Sequence, residues 1–366
     1  MRFKKYDTNW DRKKLSDYVK KITRKNSNNV IKNVICNSAQ NGLIPQLDFF
    51  DKEIANNENT AGYYIISNGD FVYNPRKSLS APYGPVNIYK YDSDGIVSPL
   101  YLCFSVDDCI NKSFLLQRFK SPCWYRYIYL NGDSGARHDR VSIKDEVFLS
   151  QPINLPNAEE QAVIAEFLEK IDERISVQNK IISKYETLIK GLCDKIFRHD
   201  KSVCLFDLVN CKTSTLQENE VATYYNGEYN VFGASGIIAS INKYQFEEDG
   251  ILVLKDGSKA GKIQYAGGKY SVVGTSVVLI PNNADDARYL YFAMLSIDFD
   301  KYKVGSGIPH IYFKDYSYER IYYPNSALRA KIAKVLDAYE TKVEIEKEML
   351  SALQEQKTFL LQSMFI

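Results

Sequence analysis

The sequence predicts an α+β protein built as a tandem duplication, two globular mixed α/β domains separated by two long helices. Three observations carry this. The stretch 156–197 returns without a gap at 324–365: Pro324-Asn325 stands for Pro156-Asn157, Ile332-Ala333 for Ile164-Ala165, Leu336 for Leu168 and Phe365 for Phe197. Both copies carry apolar residues at alternating steps of four and three, which is a heptad seam. The globular segments ahead of the two copies also pass through the same order of strand-like runs, basic loops and a short helical run.

The expected boundaries are 1–155 for the first globular domain, 156–199 for the central helix, 200–323 for the second globular domain and 324–366 for the C-terminal helix. The first seam runs through Ile164, Leu168, Ile171, Ile175 and Ile182, and the second through Ile332, Leu336, Val343, Leu350 and Leu360. Gln178 and Glu346 occupy the same slot of the two copies. At about 1.5 Å per residue each helix is a rod of roughly 60 Å. A gapless repeat closing both halves favours the two stripes packing on each other as a coiled coil over their lying in separate cores. The spacing leaves parallel and antiparallel pairing open.

In order along the chain, the first globular segment opens with Trp10 and Leu15-Ser16-Asp17-Tyr18-Val19, followed by Lys20, Lys21, Arg24 and Lys25, expected as a solvated helix face. Gly42-Leu43-Ile44-Pro45-Gln46 reads as turn-like. Tyr63-Tyr64-Ile65-Ile66 and Asp70-Phe71-Val72-Tyr73 read as strands broken by Asn68-Gly69 and stopped by Pro75, which puts Arg76 and Lys77 on a loop. The stretch 95–104 is another strand-like run, 114–119 a short helix and 131–140 a glycine-punctuated polar loop. Asn157 is placed to cap the central helix, with Glu159 and Glu160 favourable in its first turn.

The second globular segment repeats these events. Leu205-Phe206-Asp207-Leu208-Val209 echoes the run from Leu15, the strand-like 250–255 echoes that at Asp70, and 271–280 echoes 95–104. Tyr289-Leu290-Tyr291-Phe292 echoes the short helix, and Gly305-Ser306-Gly307-Ile308-Pro309-His310 echoes the loop from Asp133 to His138. Two of the chain's 3 histidines fall at this place, in a shared Ser-Gly-x-x-His.

Composition sets limits. With 45% apolar and 25% charged residues the chain reads as globular. The opening Met1-Arg2-Phe3-Lys4-Lys5 leads into no apolar run, and no stretch is long and apolar enough to span a membrane. The 7 cysteines are scattered without a Cys-x-x-Cys pair, which points to reduced thiols and a cytoplasmic location. The net charge of +2 is uneven: the first globular segment is basic, the second acidic and the rods near neutral. If the second segment meets nucleic acid, it does so through a local basic patch.

Catalytic machinery is present only as near-misses. Ser121-Pro122-Cys123-Trp124 lacks the second proline of an amino-methyltransferase tetrad and has no matching glycine-rich cofactor loop. Gly257, Gly261 and Lys262 are one residue short of a phosphate-binding loop, and Ile263 stands where Ser or Thr holds magnesium. His138 and His310 lack a neighbouring Cys or His for a metal. What remains is equipment for contact: Arg76, Lys77, Ser134, Arg137, His138 and Arg140 in the first half, and Lys255, Lys259, Lys262, Lys301, Lys303, Ser306, His310 and Lys314 in the second. Arg reads guanine edges bidentately, Ser and Lys suit phosphates, and the interspersed glycines allow close backbone approach. Taken singly, each reads first as a solvated surface charge; for the two Ser-Gly-x-x-His loops a glycine turn capped by its histidine stands level with a DNA-facing role. The readings kept open are a DNA-reading scaffold, a stand-alone DNA methyltransferase and a coiled-coil adaptor without DNA affinity.

The chain resembles the specificity subunits of type I restriction-modification systems. The resemblance rests on Gly42-Leu43-Ile44-Pro45-Gln46, Gly69-Asp70-Phe71-Val72-Tyr73-Asn74-Pro75, Val97-Ser98-Pro99-Leu100-Tyr101 and Gly135-Ala136-Arg137. It rests further on Leu155-Pro156 with Glu159-Glu160-Gln161, Ile164-Ala165, Phe167-Leu168 and Ile171-Asp172, and on Ser306-Gly307-Ile308-Pro309-His310. It covers the whole chain, in the order target recognition domain, central helix, second target recognition domain, C-terminal helix. It implies a non-catalytic subunit whose two domains each read half of a bipartite, asymmetric double-stranded DNA site, with the helices pairing antiparallel as a ruler. It also implies that two methyltransferase (modification) subunits dock on the helices and bring S-adenosylmethionine, and that restriction subunits bring ATP and Mg, so that no cofactor is held by this chain. The second helix departs from the pattern, with Ala327-Leu328-Arg329 in place of Glu-Glu-Gln and Lys357 in the seam. That predicts a looser second copy.

Overall fold

The computed structural model describes residues 3, 5–6, 9–49, 60–133, 139–198, 202–221, 227–305 and 307–365. By contact the chain divides into two compact units, Met1–Val177 with Leu350–Ile366, and Gln178–Met349. The two long helices, Ala158–Phe197 and Ser326–Met364, each contribute a part to both units.

The first unit is built on a four-stranded antiparallel sheet in the order Val19–Lys21, Leu102–Val106, Phe71–Tyr73, Val86–Ile88. Alternation along the strands sends side chains to opposite faces. Phe71, Tyr73, Leu102 and Phe104 point to one side, where they pack with Phe114, Leu115 and Phe119 of the helix Lys112–Lys120, with Trp124 and Phe148, and with the long helices. Val72 and Cys103 point to the other side, against Ile35, Leu43, Ile66, Tyr89 and Val97 of a layer of short hairpins. Burial on both faces explains why these strands read as continuous apolar runs. Trp124, from the methyltransferase-like tetrad, is 2% exposed and belongs to this core.

The second unit repeats the plan. Its sheet runs Val209–Thr213, Ser276–Pro281, Gly250–Leu254, Ile263–Ala266, again antiparallel. Ile251, Val253, Val277 and Leu279 face the helix Ala287–Met294 and the long helices. Leu252 and Val278 face Tyr270 and Val272 of an outer three-stranded layer. In both units a single 3-10 turn, Leu15–Asp17 or Leu205–Asp207, leads towards the first strand of the sheet.

Within each unit the long helices run antiparallel, which resolves the direction that spacing left open. In the first, Ile164, Leu168 and Ile171 share a core with Leu360, Leu361, Met364 and Phe365. In the second, Gln178 Nε2 donates to the Glu346 carbonyl at 2.9 Å and also to its carboxylate. The Tyr185 and Tyr339 rings lie 6.5 Å apart, and Cys193 and Phe197 share a core with Ala333 and Leu336. Partner numbers fall along the second helix as they rise along the first. Ile164, Leu168, Ile171, Ile182, Leu336, Val343 and Leu360 are buried, while Ile175, Ile332 and Leu350 are half-buried.

Three local expectations are corrected. Residues 42–45 are not a turn but the return strand Gly42–Pro45, paired with Ile35–Ser38, because Gly42 alone takes the left-handed φ of +74° and the chain is extended after it. The basic run after Tyr18 is not helical. Lys20 and Lys21 lie in a strand, Lys21 pairs with Asp145 at 2.7 Å, and Arg24 pairs with Asp94 at 2.9 Å. The departures in the second helix are not loose either. Arg329 is 8% exposed and holds Asp286 bidentately at 2.6 and 3.0 Å, and Lys357 reaches Asp172. The central helix is capped as expected, Asn157 Oδ1 accepting from Glu160 N at 2.9 Å, and Asn325 Oδ1 does the same for the second helix, accepting from Leu328 N at 3.0 Å.

Candidate nucleic-acid interface

In each unit the loop that follows the central strand is zipped to the segment around the glycine-punctuated loop. In the first unit Lys77 N donates to Asp139 O, and Val141 N donates to Pro75 O, both at 2.9 Å. This sets Arg76 directly opposite Arg140 in an antiparallel bridge. Opposed residues in such a bridge stand close enough for their side chains to interact, and like charges there repel. One neighbour offsets the pair: Asp139 Oδ2 lies 3.5 Å from Arg140 Nε. Arg76 is exposed and lines two adjoining clefts of about 290 and 360 Å³, which share Cys36, Asn74 and Tyr101 with it. Arg140, Gln46 and Tyr63 line the first cleft, and Lys77, Ser78 and Ser80 the second. The loop is held from below by Gly84: a Cβ there would sit 2.1 Å from the Asn74 carbonyl, and its φ is +84°.

In the second unit Ile311 N donates to Lys255 O at 2.9 Å, and Gly257 N to Pro309 O at 3.0 Å. The residues brought opposite each other here are Asp256 and His310. Their side chains meet, with His310 Nδ1 2.8 Å from Asp256 Oδ1. Lys255 stands just before this bridge and Lys259 and Lys262 follow on the turn, and none of the three has an ion pair among the described residues. Lys259, Lys262 and Lys303 line a cleft of about 610 Å³ together with Lys190, Asp194, Asp298 and Asp300.

Several residues expected at the interface are already engaged. Lys303 pairs with Asp300 at 2.6 Å, and Lys301 pairs with Glu319, which also accepts from Tyr302. Lys314 is exposed and lies 5.5 Å over the Tyr312 ring. Ser134, Arg137, His138 and Ser306 lie outside the described residues. The sequence reading missed the opposition of Arg76 to Arg140, the roles of Asn74 and Tyr101 in the cleft, and the Asp256–His310 pair. The motif matched His138, outside the described residues, to His310; the bridge at Asp256 holds His310 where the bridge at Arg76 holds Arg140. Nothing local signals this, because the partners come from distant loops.

The chemistry available at these loops is that of contact. Burial pushes the Cys36 thiol and the Tyr101 hydroxyl up, so neither is readied as a nucleophile near neutral pH. Among the described residues no three His, Cys, Asp or Glu side chains gather as a metal site, and no helix is long and apolar enough to cross a membrane. A guanidinium pair over a cleft of mixed lining fits base edges and phosphates, and a turn carrying lysines fits a phosphate chain.

Comparison with known proteins gives a family and a fold. The family model for the type I restriction modification DNA specificity domain matches twice, over residues 8–187 and 201–355. Among solved structures, a type I restriction-modification system S subunit from M. genitalium is similar with a TM-score of 0.62 at 17% identity, covering 98% of this chain and 97% of that one. A chain from work on complex assembly and conformational transition of the type I R-M system is similar with a TM-score of 0.56 at 14% identity, covering 97% of each. No curated protein matches by sequence.

Proposed function

The chain belongs to the type I restriction modification DNA specificity family, and from that premise we propose that its two units read the two unlike halves of a bipartite, asymmetric DNA site. It is a DNA sequence-specificity subunit. The observation that carries the bipartite reading is a shared frame with different chemistry: one bridge presents Arg76 and Arg140, and its counterpart presents Asp256 and His310. Two arginines suit guanine edges and phosphates. An aspartate with a histidine suits base donors such as the cytosine amino group. One fold with exchanged readers is what an asymmetric site requires.

In this reading the chain carries out no chemistry of its own. Two methyltransferase subunits dock on the long helices, bind S-adenosylmethionine and modify a base in each half-site. A restriction subunit, where the host encodes one, brings ATP and Mg. The work is done in the cytoplasm, in keeping with 7 free cysteines. DNA contacts are assigned to Arg76, Lys77, Arg137 and Arg140 in the first unit, and to Lys255, Lys259, Lys262 and His310 in the second. Lys301 and Lys303 are the weaker candidates because carboxylates already hold them. The test is selection from random duplex DNA by the complex of this chain with its methyltransferase subunits. A gapped motif with two unlike halves is expected; recovery of no gapped motif overturns the reading.

A further inference from the structure

In each unit one charged side chain ties the short helix that covers the sheet to the long-helix frame, through both long helices in the first unit and through the second long helix in the second. In the first unit it is Asp172, on the first long helix. Its Oδ2 accepts from Gln117 Nε2 at 2.8 Å and from Lys120 Nζ at 3.1 Å, both on the helix Lys112–Lys120. Its Oδ1 accepts from Lys357 of the second long helix. Three elements therefore meet on one carboxylate. Gln117 is 1% exposed and Lys357 has a side-chain exposure of 14%, so the junction is dry on that side, while Asp172 and Lys120 keep side-chain exposures of 32% and 35%.

In the second unit the polarity is reversed, and the centre is a cation on the short helix. Arg288 pairs with both Asp337 and Glu340 of the second long helix. Tyr291, one turn further along the short helix, donates to Glu340 Oε1 at 2.7 Å. The Arg288 guanidinium lies 4.3 Å over the Tyr265 ring, so the strand Ile263–Ala266 is held at the same point. Apolar contacts around these centres resist separation but tolerate small rotations, because they have no direction. Charge-assisted hydrogen bonds do have direction.

We propose that Asp172 and Arg288 are positioning residues, each fixing the angle at which its recognition fold stands on the long helices and so narrowing the range of gap lengths the chain accepts between half-sites. The inference rests on the bipartite reading above. Neither residue reads a base in this scheme. Loosening either junction lets a recognition fold rock while the identity of the half-site it reads stays the same.

The experiment is selection from random duplex DNA by the full chain with its methyltransferase subunits, comparing the unsubstituted protein with Asp172→Asn, Gln117→Leu and Arg288→Met. The expected result is unchanged half-sites, with the preference for the best gap over gaps one base pair away reduced about tenfold for Asp172→Asn and Arg288→Met, the scale on which coupled contacts act. Gln117→Leu is the variant that separates positioning from stability. It removes one arm of the junction together with a buried carbonyl that has no hydrogen-bond partner, so the two losses offset each other; urea unfolding close to that of the unsubstituted chain is expected, with the gap preference reduced. A gapped motif with the same single gap in all three folded variants overturns the inference alone. No gapped motif from the unsubstituted chain overturns the bipartite reading, and the inference with it.

Discussion

Replacing Arg329 by Met tests whether the second long helix is anchored by a buried ion pair. Arg329 is 8% exposed and Asp286 3%; the two are joined at 2.6 and 3.0 Å, and Arg329 also donates to Pro324 O at 2.5 Å. Its guanidinium lies 4.0 Å over the Tyr323 ring, whose hydroxyl donates to Asp286 at 2.5 Å. Removing one member of a buried pair strands the other, which costs about 3–5 kcal/mol. The penalty depends on pH in a definite direction. Burial pushes the Asp286 carboxyl up, but Arg329 and Tyr323 more than offset this and hold it below the usual carboxylate range. Its contribution in the native protein is therefore present above about pH 4 and lost as pH falls through the lowered folded value. In Arg329→Met the burial acts unopposed by a cation, and the folded value lies above the unfolded one. The penalty is then full at pH 7 and fades as pH falls towards about 4. Urea unfolding at pH 7, pH 4.5 and pH 3 measures both arms. The double variant Arg329→Met/Asp286→Asn should recover most of the loss at pH 7, since no charge is left stranded. A loss under about 1 kcal/mol at pH 7, or a loss that does not change with pH, refutes the reasoning.

Arg76→Ala is expected to weaken DNA binding by about 1–3 kcal/mol and to relax one half-site only, and Lys259→Ala to flatten the log–log salt dependence by about 0.9; unchanged affinity and specificity in both variants would remove these loops from the interface. One extra heptad in each long helix adds about 10.5 Å of rod, so selection experiments should return the same halves with a gap longer by about three base pairs. Leu168→Ala and Leu336→Ala, both at sites with 0% exposure, should each cost about 2–5 kcal/mol in chemical denaturation. Val177→Ala, at 47% exposure, should stay within about 0.5 kcal/mol.

What could be read from the sequence was what local order carries. The seam and the two copies follow from a period of three to four residues, and the correspondence of strands from short apolar runs, because burial imposes both patterns directly on the chain. What could not be read was anything set by residues meeting from distant segments. Arg76 and Arg140 are unremarkable loop arginines until the backbone bonds at Lys77 and Val141 lay them side by side. The motif that matches His138 to His310 does not reach these pairings either, since spacing along a loop does not fix which residue faces the neighbouring strand. The turn-like reading of Gly42 went wrong at one residue: the glycine does turn, but the residues after it are extended and paired.

The second long helix shows why a departure from a repeat is not a defect. Gln161 and Arg329 occupy matching positions in the two copies. Gln161 Nε2 donates to Pro156 O at 2.9 Å, and Arg329 donates to Pro324 O, so both tie the helix start back to the proline ahead of it. Their second contacts differ. Gln161 Oε1 accepts from Asn111 N at 2.9 Å, just before the short helix, whereas Arg329 takes the Asp286 carboxylate, likewise just before its short helix. A neutral link has been exchanged for a charged one at the same joint. Lys357 repeats the logic in the seam, where an apolar residue would fill space but could not reach Asp172. The duplicated frame is thus kept by conserving what each position must bridge, while the group that bridges it is free to change. The same freedom, acting at the bridge above the sheet, is what separates Arg76 and Arg140 from Asp256 and His310.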